Sequence, residues 1–338
     1  MEKKLWIPVA VAAVAFLVAA AAVAGFFVNK RTLEAEKEGL KAELARQDEL
    51  LTTLTGFMDE QMALDSARKG YAESVRIYAP AVPEEVTFAG QKIKLNRADL
   101  RERMERELIT FTYGHSNSIQ MLKRSGRYFP MVEPILKAKG VPDDLKYLMA
   151  IESNVSPVAL SKAGAAGLWQ FMPATAKEYG LEVNANVDER YNIEKETEAA
   201  CAYLLKAYAK YHDWMTVAAS YNAGQGGIST RIEKQHQRSA LNLWLPEETS
   251  RYMFRILTAK LMFENPSAFG FSLEPEDYYR YVPPRKTITV TEDIKNLPDF
   301  AAANGVSYYQ LRNANLWLKE LNLKVSGKKS YKIKIPAE

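Results

Sequence analysis

A glutamate with apolar company is the first group in this chain whose type and spacing could do chemistry. If residues 143–153 form a helix, Leu145, Leu148, Met149 and Glu152 fall at i, i+3, i+4 and i+7. That spacing sets the Glu152 carboxyl on the same face as three apolar side chains. A carboxyl held there loses hydration, so its charged form is disfavoured and its pKa rises. A glutamate still protonated near neutral pH is what general-acid chemistry requires. The same pattern also fits a buried glutamate satisfied by an arginine, or a helix end whose last turn reaches water.

Three further stretches offer polar groups beside apolar ones. Residues 161–172 read SKAGAAGLWQFM. The small residues at 163–167 let backbone approach closely, and no lysine–serine pair follows the glycines as a phosphate loop would need. Trp169, Gln170, Phe171 and Met172 combine apolar faces with one amide, a mixture that suits a sugar. For Trp169 and Phe171 core packing is the favoured role. Trp214, Val217, Ala218 and Tyr221 share a helical face, with Asn222-Ala223-Gly224 as the stop that follows. Pro246 opens a last helix in which Glu248 and Tyr252 lie one turn apart.

The elements that must position these groups read as helices. Leu100, Met104 and Leu108 recur at i, i+4 and i+8; apolar runs follow at 119–122 and 131–136, and Gly140 fits a helix stop. Pro142-Asp143-Asp144 starts the helix that ends at Glu152, and 154–157 break it. Residues 173–179 predict a short helix closed by Gly180, and 194–211 a long one. Asp188-Glu189-Arg190-Tyr191 reads as a charged turn. The region 83–272 is therefore expected to be one all-α catalytic domain, opening on a short strand-like stretch at 86–95.

With 338 residues the chain has room for two or three domains. The net charge of +4 is too small and dispersed to point to nucleic acid. The single cysteine, Cys201, permits no intrachain disulfide and reads as a small core residue. His115, His212 and His236 have no metal-ligand spacing, and neither a metal nor another cofactor is expected.

Residues 5–28 form an uncharged run of about 24 residues, ~36 Å as a helix and enough to cross a bilayer. Residues 1–30 are expected to be a retained membrane anchor, with a cleaved signal peptide as the alternative because Ala22-Val23-Ala24 resembles a cleavage site. Either exports the rest. Residues 31–82 read as a helical stalk, with Leu33, Leu40, Leu44, Leu51 and Leu54 near heptad spacing to 55 and a mixed polar stretch from Gly56. Residues 273–284 read as a Tyr- and Pro-rich linker. Within 285–338, strand signals at 288–290 and 331–335 flank helical runs at 297–303 and 308–314.

Taken in order, Glu152-Ser153, GAAGLWQFM, Ser220-Tyr221-Asn222-Ala223-Gly224 and Glu248-Thr249-Ser250-Arg251-Tyr252 resemble the motifs of the lysozyme-like lytic transglycosylases that cleave bacterial peptidoglycan, the membrane-bound D type above all. The resemblance covers about residues 82–271 and implies a mainly α, lysozyme-like (SLT-type) helical domain. It implies a non-hydrolytic cut of the MurNAc–GlcNAc bond, leaving 1,6-anhydromuramic ends. Glu152 would act as acid and then base, with the substrate acetamide assisting. Ser161, Gln170 and Met172 would line the saccharide site, Tyr221 and Asn222 would hold the acetamide and the glutamate's geometry, and Glu248 and Tyr252 would support them. Residues 285–338 resemble a LysM module with a divergent opening, a small βααβ domain that implies glycan binding. Peptidoglycan strands and, through the N-terminal helix, the membrane are then the partners; no nucleic acid is, and no feature reports a protein partner. The implied location is the bacterial cell envelope, anchored in the inner membrane with the catalytic domain in the periplasm, or secreted there after cleavage. Two other readings remain open. With Glu248 or Asp188 within reach of Glu152 across a water, a goose-type lysozyme-like muramidase would follow; with a degenerate site, a peptidoglycan-binding scaffold would.

Overall fold

The computed structural model describes residues 30–74 and 80–337. The expected anchor or signal peptide, apart from Lys30, lies outside them. Among the described residues no helix is long and apolar enough to cross a membrane. The chain divides into two units, Met1–Tyr78 and Ala79–Glu338.

In the first unit a single helix, α1 (Lys30–Ser74), runs for 45 residues. The polar stretch expected from Gly56 onward is thus helical to Ser74, since Gly56 and Gly70 cost only about 1 kcal/mol each against many helix formers. Leu40, Leu44, Leu51 and Leu54 are exposed along it, and Leu33 lies outside the described side chains.

The second unit opens on a hairpin where one short strand was expected. β1 (Glu85–Phe88) pairs antiparallel with β2 (Gln91–Lys94), Phe88 opposite Gln91. Ala89 and Gly90 both take positive φ, 50° and 78°, which a two-residue turn of this hand requires. Helices follow: α2 (Ala98–Tyr113), α3 (His115–Lys139), α4 (Leu145–Ser153) and α5 (Pro173–Glu178). Then come α6 (Ile193–Tyr211), α7 (Trp214–Ala223), α8 (Gln225–Gln235) and α9 (Glu247–Glu264). α3 joins the two apolar runs into one helix that contains Pro130 and Pro134, and Gly140 at φ 72° caps it. Every residue from Trp214 to Ser220 in α7 is buried, so this helix is enclosed by the others and has no water-facing stripe.

α9 packs against α2, α4 and α7. Charge-assisted bonds fasten it to α2: Arg251 Nε donates to Glu107 Oε1 at 2.6 Å, and Arg103 Nη2 to Ser250 Oγ at 2.7 Å. At the far end Lys260 Nζ donates to Asp144 Oδ1 at 2.7 Å, just before α4. The other Asp144 oxygen accepts the Ala89 N–H of the hairpin at 2.7 Å. Asp144 therefore joins hairpin, α4 and α9, and α4 begins at Leu145, two residues later than expected.

The C-terminal module is β3 (Lys286–Val290), α10 (Leu297–Ala303), α11 (Tyr308–Ala314) and β4 (Tyr331–Ile335), the two strands antiparallel with Ile288 opposite Ile333. Its core of Leu297, Leu311, Leu318, Leu323, Ile333 and Ile335 also takes in Val187 from the helical domain. Buried Asn315 accepts Lys334 N–H at 2.8 Å and donates to the Lys334 carbonyl at 2.7 Å, fixing the end of α11 to β4.

Candidate active site

Glu152 lies in the last turn of α4, and Leu145, Leu148 and Met149 on its face are fully buried. As a residue Glu152 is partly exposed. Directly after it the chain turns sharply: Asn154 and Val155 both take positive φ, 52° and 54°. For a β-branched residue this backbone costs of order 1–3 kcal/mol, so the surrounding packing must impose it. Val155 is itself fully buried. Burial pushes the Glu152 carboxyl up to about 7. The Tyr252 hydroxyl, donating to Glu152 Oε1 at 2.6 Å, and the charge of Arg255 oppose that rise, while the negative charge of Glu248 adds to it.

All three of these modifiers stand on α9. Glu248, Tyr252 and Arg255 recur at i, i+4 and i+7, one helical face turned toward Glu152. Tyr252 is buried, and its own proton is held tightly, by burial first and by the neighbouring carboxyl second. Glu248 is exposed. Asn222 Nδ2 approaches Glu248 Oε1 at 3.4 Å, and Asn222 Oδ1 accepts from Thr249 Oγ1 at 2.8 Å, so Asn222 is oriented by α9. The hydroxyl on Glu152 is thus that of Tyr252, whereas Tyr221 points its own at the Trp169 carbonyl, 2.7 Å away.

That carbonyl belongs to a tight turn. Ala166 and Phe171 exchange backbone bonds at 3.1 Å around Gly167-Leu168-Trp169-Gln170, with Gly167 at φ 84° and Gln170 at φ 51°. A Cβ at Gly167 would run into the Arg190 carbonyl and the Glu196 carboxylate, so only glycine fits. Trp169 and Phe171 are buried and form core, as their type favoured. Trp169 N–H donates to Glu196 Oε2 at 3.1 Å, and its indole N–H to Thr197 Oγ1 at 3.0 Å. Gln170 Nε2 donates to the carbonyls of Gly167 at 2.8 Å and Ala159 at 3.2 Å. Ser161 Oγ accepts the Ala165 N–H at 3.0 Å. Ser161 and Gln170 therefore hold loop backbone, and none of these three bonds goes to Glu152. Met172 ends the turn with its side chain 42% exposed.

Asp188 is accounted for elsewhere. It is buried and paired with Arg190, Nη2 to Oδ2 at 2.8 Å and Nε to Oδ1 at 2.9 Å. Arg190 then donates from Nη1 to the carbonyls of Gly164 at 2.6 Å and Phe171 at 3.1 Å, clamping both ends of the turn. Of the two carboxylates that could have joined Glu152, Glu248 is the one whose charge is felt there. Among the described residues no group of three or more His, Cys, Asp and Glu side chains could hold a metal.

Against known proteins, residues 132–243 match the transglycosylase SLT domain, and residues 286–338 match the soluble lytic transglycosylase C-terminal LysM-like domain. The chain carries both domains. It is similar to membrane-bound lytic murein transglycosylase D of Escherichia coli (strain K12), 27% identical over 248 residues that make up 71% of this chain and 53% of that protein. It is also similar to membrane-bound lytic murein transglycosylase C of Histophilus somni (strain 2336), 28% identical over 151 residues, 40% of each chain. The chain thus spans about half the length, or less, of these curated relatives. The 70 kDa soluble lytic transglycosylase of Escherichia coli aligns with a TM-score of 0.37 and 18% identity, covering 54% of this chain and 33% of that one. The architecture is mainly helical, of the SLT lysozyme-like type, with a LysM-like C-terminal domain.

Sequence reasoning missed Arg255, Glu196, Thr197 and the clamping role of Arg190. The 248–252–255 spacing was available as a signal for Arg255. Nothing local marks Glu196 or Thr197, which meet the turn only through the tertiary fold.

Proposed function

We propose that the chain is a peptidoglycan lytic transglycosylase in which Glu152 acts first as acid and then as base. The observation that carries this reading is the carboxyl of a partly exposed residue, pushed up to about 7 by burial and held by one hydroxyl at 2.6 Å. Near neutral pH a large share of Glu152 is protonated and able to hand its proton to the glycosidic oxygen of a MurNAc–GlcNAc β-1,4 bond. The substrate acetamide then stabilises the sugar cation in place of a second protein carboxylate. Glu152, now ionised, takes the proton of the C6 hydroxyl, and that oxygen closes the 1,6-anhydro ring without water. Tyr252 favours the ionised form between the two steps, and the Tyr221–Trp169 bond ties α7 to the Gly167–Gln170 turn. In this reading Ser161, Gln170, Met172 and Asn222 border the saccharide, with Glu248 beside them.

The names of the relatives, membrane-bound murein transglycosylases, favour a murein substrate and an envelope location. With the uncharged run at 5–28, they favour an inner-membrane anchor (1–30) or a cleaved signal, a helical stalk (31–82), the catalytic domain (83–272), a linker (273–284) and a glycan-binding module (285–338). A hydrolytic muramidase is the second reading. It is favoured by Glu248, a second carboxylate whose charge reaches Glu152. Mass spectrometry of digested sacculi separates the two. Anhydromuramic ends are expected; reducing ends, heavier by one water, would overturn the non-hydrolytic mechanism.

A further inference from the structure

The helical domain and the C-terminal module share backbone bonds. Asp188 N–H donates to the Trp317 carbonyl at 2.9 Å and Lys319 N–H to the Asn186 carbonyl at 2.9 Å, flanking the bridge between Val187 and Leu318. Beside this seam lies a cleft of about 350 Å³, walled by α3, by the connecting residues 280–284 and by α11. That volume falls in the range of sites for small ligands.

The charge inside the cleft is unbalanced. Lys334 and Glu194 pair with each other, which leaves Arg127 and Arg280 on its rim. Among the described residues no carboxylate forms a salt bridge with either guanidinium. Arg127 Nε makes only a long bond, 3.4 Å, to the Arg280 carbonyl, and its guanidinium lies 5.5 Å from the Tyr279 ring centre. Apolar surface accompanies these cations: Tyr309 is 78% exposed and Val282 61%. Two guanidiniums beside exposed rings suit a ligand with carboxylates spaced by small apolar groups, since the guanidinium fork matches a carboxylate bidentately.

We propose that this cleft binds the carboxylate-bearing peptide stem of a peptidoglycan strand, apart from the Glu152 site; the choice of ligand rests on the peptidoglycan reading above. Arg127 and Arg280 take the stem carboxylates, and the Tyr309 ring covers the apolar side chains between them. The backbone seam sets the cleft in advance, so binding needs no domain closure. The module thereby directs the chain to strands that still carry stems.

The test titrates the full chain with a free tetrapeptide stem, with the peptide-free disaccharide and with inorganic phosphate. The tetrapeptide is expected to bind, with at least tenfold loss in Arg127→Glu/Arg280→Glu and several-fold loss in Tyr309→Ala, a change at an exposed side chain. Disaccharide binding and cleavage of peptide-free glycan should match the unmodified chain in both variants. No tetrapeptide binding, binding unchanged in both variants, or displacement of the stem by phosphate at equal affinity would each overturn the proposal. Failure to cleave any glycan would instead strike the catalytic reading and leave the tetrapeptide titration interpretable.

Discussion

Two glutamates in the helical domain have burial-raised pKa values and very different surroundings. Glu152, in the last turn of α4, is partly exposed as a residue and carries one tyrosine hydroxyl. Glu196, in the first turn of α6, is fully enclosed and accepts the backbone N–H groups of Trp169 and Leu168. Its other oxygen is buried without a hydrogen-bond partner among the described residues. Burial is the first cause of the rise at both. A raised pKa therefore does not identify an acid catalyst. What separates the two is exposure: Glu152 is partly exposed as a residue, while Glu196 is fully buried against backbone. Glu196 shapes the turn, and Glu152 is tied to α9 through Tyr252.

The sharpest way to break this contrast is a matched pair of variants. Glu152→Gln is expected to lower turnover on sacculi by about 10²–10⁴-fold, the usual contribution of a positioned acid. Glu196→Gln keeps the accepting oxygen and is expected to retain most activity and stability. If the losses were reversed, the assignment of roles would fall. Glu196→Ala removes the acceptor and opens a cavity, and is expected to cost about 2–4 kcal/mol in denaturant unfolding.

The pH dependence of stability sharpens the comparison next. Both carboxyls titrate higher folded than unfolded, whose reference is 4.5. Above that pH the unfolded chain has released protons that the folded chain still holds, so both groups make stability fall as pH rises. For Glu152 the fall runs from about 4.5 to about 7. Glu152→Gln removes it and is expected to stabilise the protein above pH 7 by up to about 3 kcal/mol, at about 1.4 kcal/mol per pKa unit. Equal stability of the two proteins at pH 5 and pH 8 would contradict this. The smallest effects are on the basic limb of kcat/KM. Tyr252→Phe removes a bond that favours the charged form and should move the limb up. Glu248→Gln removes a like charge and should move it down, each by less than about one pH unit.

Much of the fold was legible because its signals are local. The boundaries 297–303, 308–314 and 331–335 are reproduced as α10, α11 and β4, with caps from Asn296 and from the Ser307–Gln310 capping box written beside the helices. The apolar face of Glu152 was equally local. The Ala89-Gly90 turn was missed because alanine does not advertise positive φ, and α8 because Gly226 and Gly227 lower its helical signal. Which of Tyr221 and Tyr252 places its hydroxyl on Glu152 could not be read from sequence. Each ends or follows an apolar helical face, and only the packing of α9 on α4 and α7 decides which hydroxyl meets Glu152. Asp188 was left as a candidate partner for Glu152 because its pairing with Arg190 depends on a turn that forms around residues 164 and 171.

The most direct test of the central claim is the titration of the Glu152 side chain itself, followed by carbon-13 NMR of its carboxyl in the full chain, with Glu152→Gln used to assign the resonance. A midpoint near 7, moving upward in Tyr252→Phe, is the predicted result. A midpoint near the ordinary 4.5 would mean that Glu152 is ionised at neutral pH and is not the proton donor.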